Sequence, residues 1–178
     1  MNGVVEFSKG NYEKALVAFS ESEKRLSNSF DVFSNKSLSK TLVNKGVTLG
    51  KLNRLQEEID VYDEVLRRFG ESPEPALRER VAMVLVNKGV TLGKLRRPQE
   101  EIAVYDDIIR RFGESPEPVF RESVAAALVN KGVALGQLGQ SQEAIALYDE
   151  VIRRFGDSTE PELRKIVERA RRKLDGKP

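Results

Sequence analysis

The chain has 178 residues, 33% charged and 39% hydrophobic, with a net charge of +2 and neither Cys nor His. These counts exclude a disulfide framework, thiolate chemistry, the commonest general base and most zinc sites. The small net charge sets up no strong field toward nucleic acid or membrane, no apolar run approaches a membrane span, and the opening MNGVVEFSKGNYEKAL lacks a secretory apolar stretch, so cytoplasm is the expected compartment.

In chain order, residues 1–33 form a weak, truncated first copy of a pattern, carried by Gly3, Gly10, Tyr12, Ala15, Leu16 and Phe19. Full copies follow at 34–72, 73–115 and 116–158. Asn44, Asn87 and Asn130 are 43 residues apart, as are Tyr62, Tyr105 and Tyr148 and the RRFG tetrads ending at Gly70, Gly113 and Gly156. A fixed period of this size is the mark of a helical array. Each copy reads as two helices. In the second full copy, Pro73 and Pro75 suit a first helical turn. Val81, Leu85, Leu92 and Leu95 then recur on one helical face with Gly89 in phase. A break at RRPQE follows, and Pro98 starts a second helix of about 15 residues carrying Ile102, Tyr105, Ile108, Ile109 and Phe112. Gly113 ends it. Residues 159–178 repeat the start of a first helix with Arg171 and Arg172 in apolar positions, a polar cap for the array. No segment alternates as a strand.

Within each first helix the stretch LVNKGVTLG, or LVNKGVALG in the third copy, holds two glycines. Each costs about 0.5–1 kcal/mol relative to Ala. A cost incurred three times over implies a packing or binding reason.

The pattern from Gly132 to Ile152, with Gly132, Leu135, Gly139, Ala144, Tyr148 and Val151 at fixed spacings, resembles the tetratricopeptide repeat. The family unit is about 34 residues. Nine more here lengthen the first helix by about two and a half turns. The resemblance implies one domain over 1–178, an all-α right-handed solenoid of antiparallel helix pairs. It implies that Gly46, Gly89 and Gly132 let the helices of a pair cross closely. It implies a concave binding groove lined by Lys40, Val43, Asn44, Val47 and Lys51, by Met83, Val86, Asn87, Val90 and Lys94, and by Val129, Asn130, Val133 and Gln137. Asn side chains there can donate to and accept from a peptide backbone, Val side chains give apolar walls, and Lys51 and Lys94 suit an acidic group. Glu58 and Glu101 stand where the family has a small buried residue, and are expected opposite Gly46 and Gly89, with Lys45 and Lys88 as candidate partners.

The function expected is a non-catalytic scaffold binding a protein or peptide segment, with no cofactor and no metal. The alternative is self-assembly through an uncapped N-terminal edge of Val4, Val5, Phe7, Tyr12, Leu16 and Phe19. The Arg pairs at 67–68, 110–111 and 153–154 follow acidic residues by about one turn, the spacing of ion pairs on a solvated face rather than of a nucleic-acid surface. Glu57–Glu58 and Glu100–Glu101 are sequence neighbours pointing in different directions, which is not the disposition of a hydrolase pair.

Overall fold

A computed structural model describes residues 2–27 and 31–176. The fold is all-α, with nine helices and no strand among the described residues. They are α1 (Asn2–Ser8), α2 (Tyr12–Leu26), α3 (Val32–Lys51), α4 (Leu55–Phe69), α5 (Pro75–Lys94), α6 (Pro98–Phe112), α7 (Pro118–Gln137), α8 (Ser141–Phe155) and α9 (Pro161–Leu174).

The chain groups into two compact units that divide within α5, between Val84 and Leu85. In the first, α1 packs on α2, α2 on α3 and α3 on α4. In the second, α7 packs on α6, α8 and α9, and α8 also packs on α9. Within each unit these helices pack on neighbours in sequence, the behaviour of a helical-repeat array.

The helix limits have local causes. Pro75, Pro98, Pro118 and Pro161 stand at first positions, where a missing N–H costs nothing. Asp31 caps α3 by accepting from the Ser34 N–H at 2.9 Å. The glycines after the second helices do not act as left-handed caps: Gly70, Gly113 and Gly156 keep right-handed helical angles. What Gly113 and Gly156 supply is room, because a Cβ there would meet the carbonyl oxygens of Ile109 and Ile152. The left-handed residues fall instead in the turns inside the pairs, at Gly10, Asn53, Arg96 and Gly139.

The α1/α2 pair is centred on Phe19, which meets Gly3, and each later pair on a tyrosine. Tyr62 and Tyr105 are wholly buried, and Tyr148 nearly so. Their rings meet a first helix at Gly46, Gly89 and Gly132. A methyl at Gly132 would come within 2.6 Å of the Tyr148 ring, and the two pairs before it make the same contact. No side chain larger than hydrogen fits there, which explains the first glycine of each first helix.

Candidate functional site

The second glycine has a different cause. Glu58 on α4 and Glu101 on α6 are buried, 5% and 8% exposed. Their carboxylates lie against Gly50 and Gly93, not against Gly46 and Gly89 as the sequence implied. A methyl at Gly50 would come within 2.7 Å of Glu58 Oε2, and one at Gly93 within 2.9 Å of both Glu101 oxygens. The third pair provides an internal comparison. Ala144 replaces the Glu, and a methyl at Gly136 would meet nothing within 4 Å.

Lys45 does not serve Glu58. Lys45 reaches Glu23 on α2 at 2.7 Å, and Lys131 reaches Asp106 on α6. Glu58 Oε1 accepts from the Tyr62 hydroxyl at 3.0 Å, while its Oε2 is buried without a hydrogen-bond partner among the described residues. Burial pushes the Glu101 carboxyl above its usual range. The Tyr105 hydroxyl is pushed up as well, first by burial and then by the Glu101 charge, and it too is buried with no close hydrogen bond among the described residues.

The residues expected to line a groove divide into two groups. Lys40, Asn44, Val47 and Lys51 lie on one stripe of α3, since steps of four, three and four residues return to nearly the same angle. Lys40 and Lys51 are exposed, and Asn44 and Val47 half-buried. With Val4, Phe7 and Phe19, Asn44 and Val47 line a hollow of the first unit. Met83 is exposed at the first unit's end. In the second unit, Val90 and Lys94 are exposed, with Val86 and Asn87 half-buried. Lys94 and Gln137 line a hollow beside Gly93, Arg96 and Glu101. Asn130 and Val133 are half-buried and Gln137 is exposed.

Val43 and Val129 differ. At 6% and 0% exposure they are core residues and offer no wall to a ligand. Each is one residue, about 100° of helix, before the stripe asparagine, and three before the glycine that meets the tyrosine.

The side-chain amides of Asn44 and Asn87 have no hydrogen-bond partner among the described residues; only their backbone carbonyls are engaged, by the hydroxyls of Thr48 and Thr91. Asn130 is occupied. The Arg169 guanidinium of α9 donates closely to its Oδ1. Sequence reasoning missed Arg169, although it stands in α9 where Lys40 stands in α3. Burial lowers its pKa.

The first arginine of each arginine pair is exposed, but Arg111 and Arg154 are half-buried, and Arg154 also donates to the Gly113 carbonyl at 2.6 Å. Arg67 and Arg68 bond Glu64, Arg110 and Arg111 bond Asp107, and Arg154 bonds Glu150. No described helix is long and apolar enough to cross a membrane, and no cluster able to hold a metal occurs among the described residues.

Helices packed on their neighbours in sequence, each pair closed by an aromatic ring against a glycine, define the class as a helical-repeat protein. Residues 126–158 match the family model of the tetratricopeptide repeat. The two helix pairs before it make the same glycine–tyrosine contact as the matched one. The curated proteins include no match to the chain.

Proposed function

We propose that the chain is a non-catalytic scaffold that holds a protein or peptide segment against the first helices. The matched family supports an interaction module. One observation carries the finer reading. Asn44 and Asn87 present half-buried amides, unpartnered among the described residues, beside Val47 in the first unit and Val90 in the second. An amide so placed gains by bonding a peptide backbone, and the valine beside it gives apolar area to bury.

The test is selection of binders from a random peptide library, followed by amide chemical-shift mapping. Binders should perturb Asn44, Val47, Asn87 and Val90, and Val90→Asp should weaken those that perturb the second unit. Binders that map to α4, α6 and α8 instead overturn the reading.

Self-association is the second reading, favoured by the exposed Val4, Val5 and Val17 of the first helix pair. Leu16 and Phe19 are buried within that pair, so they are not available to a partner. Val5→Glu with Val17→Glu should lower the mass seen by light scattering at high concentration. A wild type that stays monomeric throughout a concentration series removes this reading.

A further inference from the structure

Several cations of the first unit are paired, while Lys14, Lys24, Arg25 and Arg80 have no carboxylate within ion-pair distance among the described residues. Lys36 pairs with Glu74 at 2.6 Å, Lys45 with Glu23, Arg54 with Glu57, and Arg67 and Arg68 with Glu64. Lys40 and Lys51 are exposed and have no carboxylate within ion-pair distance among the described residues. They stand at the two ends of the α3 stripe that contains Asn44 and Val47. α3 has four lysines and no acidic residue at all. Its ligand-facing stripe is therefore a cationic surface with an apolar hollow between two uncompensated charges.

Helix geometry gives the spacing. Lys40 and Lys51 are eleven residues apart, about 16 Å along the axis at 1.5 Å per residue. Val47, at the mouth of the hollow lined by Val4, Phe7 and Phe19, lies about 10 Å from Lys40 and 6 Å from Lys51. An extended peptide advances about 3.3 Å per residue. The first charge is thus about five peptide residues from the second, with the apolar position three from one and two from the other.

We propose that the first unit selects an extended acidic segment with an aspartate or glutamate at each end of six residues and a large apolar side chain at the fourth position, or at the third when the chain runs the other way. The acids meet Lys40 and Lys51, the apolar side chain enters the hollow at Val47, and the Asn44 amide bonds the peptide backbone. This rests on the scaffold reading and narrows it to one partner chemistry.

The probes are fluorescein-labelled, end-blocked peptides carrying Asp-Ser-Ser-Leu-Ser-Asp or Asp-Ser-Leu-Ser-Ser-Asp. One control has both Asp replaced by Asn, and a second has the same composition with the two Asp adjacent. Anisotropy is read on the full chain at low and at high salt. One of the two spaced peptides should bind at least about fivefold tighter than either control, because exposed ion pairs are each worth a modest energy. Lys40→Glu and Lys51→Glu should each weaken it about fivefold without changing helicity, and added salt should erase the advantage.

Equal binding of the neutral and acidic peptides, lost on Val47→Asp, overturns the acidic partner while leaving the scaffold reading. Binding of none of them overturns this proposal, and the scaffold reading also falls if the peptide library gives no binder on the α3 stripe. A fall in oligomeric mass on Lys40→Glu would show that a second copy covers the face, and that too overturns the proposal.

Discussion

Replacing Glu101 with Gln should make the protein more stable at neutral pH. The side chain is 8% exposed, no basic group pairs with it among the described residues, and Gly93 is the surface it lies on. Gln keeps the length and planarity of the group but removes the charge. Among the described residues Glu101 lacks a countercharge, and its desolvation outweighs the help of the Tyr105 hydroxyl; such a buried group costs about 1–3 kcal/mol, more when charged. The amide retains part of that cost, so the gain is about 1 kcal/mol, or about 2–4 °C in Tm for a chain of this length. The pH profile supplies the sharper readout. Burial raises the folded-state pKa above its ordinary value of 4.5. Between the unfolded and folded pKa values the folded state binds more protons, so stability falls as pH rises through that window. The penalty is absent below the window and complete above it. Urea unfolding of wild type and Glu101→Gln from pH 4 to pH 8 should show the variant with the flatter profile and an advantage only toward neutral pH. A variant less stable than wild type at pH 7, or one with an unchanged profile, refutes the reasoning and makes the carboxylate a required partner.

Gly136→Ala should stabilise by about 0.5–1 kcal/mol, because the helix gains the better former and the methyl meets nothing. Gly93→Ala should destabilise, since its methyl meets the Glu101 carboxylate, and adding Glu101→Ala should recover the loss; additive effects in a double-mutant cycle would deny the contact. Arg96 occupies a left-handed angle, φ 55°, where the third pair has Gly139, so Arg96→Gly should raise stability by about 1 kcal/mol in chemical denaturation. An unchanged midpoint would mean that the arginine side chain compensates for its backbone.

The helix pairs were legible because two signals agreed. Glycine and tyrosine recur in fixed phase, and prolines mark the helix starts. The glycine opposite each glutamate was not legible. Gly46 and Gly50 are four residues apart, so they share a face and differ only by about 6 Å along the axis. Which of them the carboxylate meets depends on where the long Glu side chain lies, and residue spacing does not encode that. The resemblance puts Val43 and Val129 on the ligand face, yet each stands one residue before a stripe asparagine, and that step turns its side chain by about 100° into the core. Arg169 escaped notice for a different reason. Its partner, Asn130, is 39 residues away, and nothing local to α9 separates one arginine among several from its neighbours. Composition indicated a cap there but not its contact.

The tyrosines at Gly46, Gly89 and Gly132 also make the array its own reporter. The chain has no Trp and only four Tyr, at positions 12, 62, 105 and 148, one in the second helix of each pair. Near-ultraviolet dichroism and intrinsic emission therefore come from chromophores distributed evenly along the repeats. Those at 62 and 105 are wholly shielded from water, and the one at 148 almost so. Converting tyrosines to phenylalanine until a single one remains would leave each of these three crossings as the lone light-absorbing phenol of its own variant. Heating that set of proteins would then show whether the array melts in one step or unzips pair by pair from an end, as chains with mainly nearest-neighbour contacts are free to do.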